Sequence, residues 1–159
     1  VARYFRRADG QTRWYFLTAI ANTAAPTTGE VNAGIALNTR ISEISGFTYK
    51  NEPIQTPDLS VAFVSTIGGE DVAEDCSLMF YDDDTNMGLW NALAKGTTGY
   101  MVINPYARVS GTKCRVWTVV SLGPNDEYTV DASAARFMVD FSVAVRPNLD
   151  ATFPASVTI

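Results

Sequence analysis

A mainly β protein carrying one substantial helix is what the sequence predicts, and three observations carry that reading. Residues 136–146 alternate Phe137, Val139, Phe141, Val143 and Val145 with Arg136, Asp140, Ser142 and Arg146, the period of a strand with one buried and one polar face. Residues 100–106 are apolar on both faces and read as a central strand that stops at Pro105. Between strand-like runs at 72–81 and 100–106, Leu89, Trp90 and Leu93 fall three and four apart, the apolar stripe of a helix docked on a sheet.

The remaining elements follow in chain order. Residues 13–20 and 40–50 are weaker strands, and Ile44 is out of phase with Ile41, Phe47 and Tyr49, which predicts a bulge near Gly46. Between them Thr27, Glu30 and Gly34 have the spacing of a capping box and a C-terminal stop around a short helix. In residues 72–80, Val72, Cys76, Leu78 and Phe80 share a face opposite Asp75 and Ser77. The longer helix is expected at about 85–95, with Asp82–Asp84 supplying negative charge to its N-terminus and Lys95-Gly96 marking its end. Residues 113–122 read as a strand with Cys114, Val116, Val120 and Leu122 inward, and Gly123-Pro124-Asn125 reads as a turn before a short run, Tyr128-Thr129-Val130. The pattern shows no internal repeat and no linker, so a single domain over residues 1–159 is expected.

The stretch from Asn51 to about Asp71 fits no regular element, because Pro53, Pro57 and Gly68-Gly69 interrupt it. It is too long for an idle turn, and it carries Ile54, Leu59, Val61, Phe63, Val64 and Ile67. An arm with that many apolar side chains needs a surface to bury them on, either its own core or a neighbour.

Charge is segregated along the chain. Residues 1–50 balance to +3, residues 51–94 to −9 with no base, and residues 95–159 to +1, giving −5 overall. At twelve bases in 159 residues, that middle span would by chance carry about three. Its acids are Glu52, Asp58, Glu70, Asp71, Glu74, Asp75, Asp82, Asp83 and Asp84. The overall balance argues against holding nucleic acid by phosphate neutralisation. The segregation suits head-to-tail pairing of copies.

Composition limits the chemistry further. Histidine is absent, which removes the commonest general base and transition-metal ligand. Cys76 and Cys114 lie on expected core faces without a Cys-x-x-Cys clip and read as buried thiols, a cross-sheet disulfide being the alternative. The 47% apolar content is ordinary for a globular protein, and no apolar run approaches the roughly 20 residues of a membrane helix. Arg3, Arg6 and Arg7 lead into polar residues rather than a signal-peptide core.

Local motifs favour no catalytic or metal site. Asp82, Asp84 and Asn86 match the first ligands of a calcium loop, but the Gly is displaced to position 88 and Leu93 stands where a bidentate Glu belongs. Gly68-Gly69 lacks the Lys-Ser/Thr ending of a phosphate loop. Glu70-Asp71 and Glu74-Asp75 are adjacent in extended chain, so they point apart and form no facing carboxylate pair for glycoside hydrolysis. Tyr4, Phe5, Trp14, Tyr15 and Phe16 among Arg3, Arg6, Arg7 and Arg13 could stack on nucleic acid, but at strand spacing they read as core or interface aromatics.

An ordered series of short motifs resembles the major tail tube proteins of long-tailed, non-contractile (siphovirus-type) bacteriophages, particularly those of actinobacterial hosts. It begins with Ala25-Pro26-Thr27-Thr28-Gly29-Glu30-Val31-Asn32-Ala33-Gly34, Leu37 and Ile41-Ser42-Glu43-Ile44-Ser45-Gly46-Phe47. It continues through Ile54-Gln55-Thr56-Pro57-Asp58, Gly69-Glu70-Asp71, Glu74-Asp75 and Leu78, Phe80 and Tyr81. It ends with Ala92-Leu93-Ala94-Lys95-Gly96-Thr97 and Gly99-Tyr100, so the likeness spans most of residues 13–145. The resemblance implies a two-sheet β sandwich or half-barrel of antiparallel strands flanked by one helix. Six copies would close a ring and rings would stack into a conduit, with the long inter-strand loop at about 50–70 bridging rings. No enzymatic activity, catalytic residue, metal or cofactor is implied. The implied partners are further copies of the chain, the tape-measure protein, the tail terminator and the distal tail proteins, with double-stranded DNA in transit and no membrane insertion. The implied location is the virion tail, assembled in the host bacterial cytoplasm, and the chain is expected to lack the C-terminal immunoglobulin-like domain of some relatives.

Two sets of residues follow as candidates. Leu59, Val61 and Phe63 are expected at the ring-to-ring contact. Some of Glu70, Asp71, Asp75, Asp82, Asp83 and Asp84 are expected to face the channel, where they would repel phosphate over about 8 Å at physiological salt, while others pair with basic segments of a neighbour. The alternative reading is a monomeric β-sandwich module that binds carbohydrate or another ligand, which assembly state would distinguish. A hydrolase using acidic residues is a third class.

Overall fold

The computed structural model describes residues 3, 5–7, 11–107 and 113–155. In chain order these form β1 (Arg13–Leu17), α1 (Thr28–Ala33), β2 (Ile35–Ala36), β3 (Ile41–Ser45), β4 (Tyr49–Asn51), β5 (Ile54–Thr56), β6 (Ser65–Ile67), β7 (Asp71–Ala73) and β8 (Cys76–Tyr81). They continue with α2 (Gly88–Ala92), β9 (Thr98–Asn104), β10 (Lys113–Glu127), β11 (Arg136–Ser142) and β12 (Asn148–Thr152).

One antiparallel sheet in the order β2-β1-β9-β10-β11-β8-β3, with β12 also on β10, supplies both layers of the expected sandwich. The long strand β10 joins them. Arg115–Val120 pair with β9 on one edge, while Val120–Glu127 pair with β11 on the other. A register shift between Ser121 and Pro124 marks the passage between layers. There Gly123 adopts φ +104°, which only glycine takes cheaply, and Pro124 brings no N–H. The expected turn at 123–125 is therefore a bulge inside a strand. Beyond the strand's end Tyr128 and Val130 are fully exposed rather than forming a further strand.

The sheet encloses its main core on one face. Phe16, Leu78, Phe80, Trp117, Phe137 and Val139 meet there with Leu89 and Leu93 of the α2 region. A second core covers the outer face of β1, β9 and the first half of β10, where Tyr15, Val102, Cys114 and Val116 pack with Val31 of α1 and Phe153. The outer face of β3, β8, β11 and the second half of β10 has no such cover in either core. Cys76 and Cys114 are buried free thiols in different cores, which rules out the disulfide alternative.

Several local expectations need correction. Helix α1 has the capping box, Thr27 Oγ1 accepting from the Glu30 N–H at 3.3 Å and Glu30 Oε2 from the Thr27 N–H at 3.0 Å. Helix α2 is shorter than 85–95. Its N-cap is Met87 and no acid stands in its first turn, because Asp83 is used upstream to accept from the N–H and hydroxyl of Thr85. Leu122, expected inward, is 51% exposed because successive buried residues Val116 and Trp117 serve opposite cores and the bulge follows. Val145 is likewise exposed, since β11 ends at Ser142. The irregularity near Gly46 is a break between β3 and β4, and the register shift lies between Ile41 and Glu43.

Candidate assembly surfaces

The uncovered arm is a two-stage hairpin. At its root β4 pairs with β7, Tyr49 opposite Ala73, and further out β5 pairs with β6, Thr56 opposite Ser65. Pro53 and Gly68-Gly69 fall between the two pairings, as their lack of a strand signal predicts. Residues 57–64 form the tip. Asp58 Oδ1 accepts from the N–H of Ser60 at 2.7 Å, from its hydroxyl and from the N–H of Val61 at 3.2 Å, which fixes the turn and holds the Asp58 carboxyl below the usual range. On this fixed turn Leu59, Val61 and Phe63 are 109%, 56% and 78% exposed.

The root is held just as definitely. Gly46 and Phe47 both take positive φ, +78° and +57°, and Phe47 is bulky enough that this conformation needs compensation. Compensation is visible in its ring, which packs edge-on to Trp14 at 5.1 Å and Trp117 at 5.6 Å. A Cβ on Gly46 would lie 2.1 Å from the Asp75 carbonyl, so no other residue fits the kink. Beyond it Asp71 accepts from the Tyr49 hydroxyl at 2.6 Å and from Asn51 Nδ2 at 2.8 Å. These bonds, Asn51 first, depress the Asp71 pKa, and the same bond raises that of Tyr49. Arg146 lies over the Tyr49 ring at 5.4 Å.

The acids of the middle span do not form one patch. Glu70 and Asp71 stand at the arm root, Asp75 precedes β8, and Asp82, Asp83 and Asp84 follow that strand's far end. Seven residues of extended chain separate Asp75 from Asp82, roughly 23 Å. Asp83 is half-buried and its pKa is lowered chiefly by the Thr85 hydroxyl; the other five are exposed. The calcium-loop reading fails, since Asn86 Oδ1 accepts from the Gly88 N–H at 2.8 Å and no metal-holding carboxylate cluster occurs among the described residues.

Three acids that sequence reasoning passed over share the uncovered sheet face. Asp140 lies opposite Ser77, Glu43 opposite Met79, and Glu127 opposite Arg136. Arg136 binds Glu43 and Glu127, each at 3.0 Å, and so ties β3, β10 and β11 together. The three come from three different strands; only alternation combined with cross-strand register brings them together.

Of the N-terminal aromatics, Trp14, Tyr15 and Phe16 are core residues, and Phe5 is exposed beneath Arg7 at 5.5 Å. Tyr4 lies outside the described residues. Arg6, Arg7 and Arg115 line a groove of about 580 Å³ at the arm root, with Trp14, Phe47 and Trp117 in its floor and Ile44 and Leu149 on its rim. Cys114 is pushed up to about 11 by burial and Cys76 is raised for the same reason, so neither is an activated nucleophile. Among the described residues no helix is long and apolar enough to cross a membrane.

Comparison with known proteins bears on these surfaces. No curated protein matches the sequence significantly. The fold is similar to a chain of the 6-fold symmetrised anti-feeding prophage (AFP) baseplate, with TM-score 0.61, 9% identity, and 93% of this chain and 95% of that one covered. It is also similar to a chain from the tail of an empty gene transfer agent (GTA) particle solved with helical refinement and C6 symmetry. There the TM-score is 0.58 at 11% identity, covering 94% of this chain and 100% of that one. The family described as phage tail tube protein matches residues 2–156, nearly the whole sequence. The chain therefore belongs to the phage tail tube protein family: it is a structural subunit of the virion tail and not an enzyme.

Proposed function

We propose that this chain closes into six-membered rings that stack into a conduit for double-stranded DNA, in a tail of the long, non-contractile type. The observation that carries the stacking is the arm: three bare apolar side chains on a fixed turn, at the end of a hairpin with a fixed root. The C6 symmetry of the GTA tail and the 6-fold symmetry of the AFP baseplate support the ring count. The resemblance of the ordered motif series supports the non-contractile, actinobacterial-host type and the tape-measure, terminator and distal tail proteins as partners.

Ring closure would use the sheet's ends. Strand β3 stands at one end of the order and the two-residue β2 at the other, so joining β3 of one copy beside β2 of the next would remove the open edges. The uncovered face of β3, β8, β11 and β10 then forms the channel wall. With Asp140, Glu43 and Glu127 against one Arg136, and Asp75 in the alternation of Ser77 and Met79, that wall is acidic. It repels phosphate instead of retaining it. Glu70, Asp82 and Asp84, off this face, are available for pairing with basic segments of neighbours, whereas Asp83 is engaged by Thr85 and Asp71 by Tyr49 and Asn51.

Negative-stain microscopy of the concentrated protein tests this reading. Rings or tubes with six subunits per turn are expected. Monomer alone, at high concentration and across salts, would favour a binding module instead.

A further inference from the structure

The arm and the groove stand at opposite ends of one lever. Tyr49, at the arm root, is part of the groove lining, while Leu59, Val61 and Phe63 sit at the tip. Seven residues of chain, up to roughly 23 Å when extended, lie between Tyr49 and Thr56, and no residue of the 57–64 tip lines the groove. A tip so placed does not reach its own groove.

We propose that the groove at the arm root is the receptor for the arm tip of a second copy, a contact that rests on the stacked-ring reading and assigns its two faces. Several observations commit the groove to this occupant. Its floor is aromatic, with Phe47 held edge-on between Trp14 and Trp117, and its rim carries Ile44 and Leu149, 51% and 39% exposed. About 580 Å³ is room for a few apolar side chains, in the range of sites that seat ligand-sized groups. Arg6, Arg7 and Arg115 against Glu43 make the groove basic, and the tip that enters it, residues 57–64, carries Asp58 and no base. The Asp58 turn presents the tip already ordered, so little freedom is lost on docking.

Knob and hole on different surfaces make a heterologous contact, which adds copies in one direction without closing on itself. The groove also explains the strained root. The Gly46-Phe47 kink builds the hole and aims the knob at once, so the axial step between copies is set by one rigid device.

Cysteine cross-linking tests the assignment. The variant Phe63→Cys with Ile44→Cys places one thiol on the tip and one on the groove rim, both at exposed positions, against the buried native thiols. A short bismaleimide should give a ladder of covalent multimers from assembled protein, and neither single variant should do so. The pair Phe63→Cys with Tyr128→Cys, on the exposed loop after β10, should give none. Separately, Arg6→Glu with Arg7→Glu should raise the concentration needed for tube formation at least tenfold. Tubes that form normally but cross-link through Tyr128→Cys, or not through Ile44→Cys, would overturn the receptor assignment and leave the tail-tube reading intact. Absence of any assembly by the unaltered protein would take both down.

Discussion

Replacing Leu59, Val61 and Phe63 together with serine separates assembly from folding. Full burial of a large apolar side chain is worth about 1.5–3 kcal/mol. Leu59 and Phe63 are 109% and 78% exposed, so nearly all of that gain remains available to a partner, and Val61, at 56%, offers about half. The three together amount to roughly 5 kcal/mol per arm. Association retains only the surplus over ordering and desolvation costs. If about half survives, the threshold concentration for tubes should rise 50- to 100-fold, at about 1.4 kcal/mol per tenfold. The monomer should scarcely notice. Exposed substitutions usually stay within about 0.5 kcal/mol, which is a shift of roughly 2 °C in a chain this long. Sedimentation velocity over a concentration series reads the threshold, and calorimetry reads the melting temperature. An unchanged threshold would remove the tip from the interface, and a melting temperature lowered by many degrees would mean the tip belongs to the chain's own core.

Other variants probe the root, the wall and the arm's response to acid. Gly46→Ala puts a Cβ 2.1 Å from the Asp75 carbonyl at φ +78°, and urea unfolding should show a loss of about 2 kcal/mol or more; a neutral result would contradict the kink. The Asp71 pKa is depressed in the folded chain, so its stabilisation is complete above the ordinary carboxylate pKa and is lost as pH falls through the lowered value. Amide exchange in residues 49–52 and 69–73 should therefore accelerate in strong acid beyond its intrinsic trend, and Asp71→Asn should abolish that extra dependence. Asp75→Lys and Asp140→Lys should assemble but slow DNA release in a particle-based ejection assay. Normal ejection from well-formed tubes would remove those positions from the channel wall, and failure to assemble would place them at an interface.

Elements with a strong single period were legible in the sequence because burial alone decides them. Strand β11 shows Phe137, Val139 and Phe141 buried as the alternation demands, β9 is buried on both faces, and α1 ends at its predicted caps. Two inferences failed, one from punctuation at Gly123-Pro124 and one from the contiguity of the acids. Gly123-Pro124 signals a turn when read locally, but a bulge uses the same two residues and tertiary pairing with β11 decides between them. The run Asp82–Asp84 looks like helix-terminus charge, yet Asp83 is consumed by Thr85 in a local turn. The acidic span is continuous in sequence and divided in space because an antiparallel strand carries its two ends far apart. The acids of the uncovered sheet face show the converse, scattered at positions 43, 127 and 140 and gathered by register.

The energetics of a single arm also dictate an order of events. A contact with a surplus of about 2.5 kcal/mol corresponds to a dissociation constant of roughly 10 mM, too weak for one copy to add to another on its own. Six such contacts made by a closed ring act together, because after the first has formed the rest are intramolecular and each multiplies the affinity. On the proposed assembly, stacking therefore waits for ring closure, which would rest on backbone pairing between β3 and β2 rather than on the arm. That division lets a chain with bare Leu59 and Phe63 remain dispersed before assembly, helped by its −5 charge. It also makes tube growth abrupt in concentration. Gradual accumulation of single-file chains of arm-linked subunits, without rings, would show instead that one arm binds far more tightly than its exposed surface accounts for.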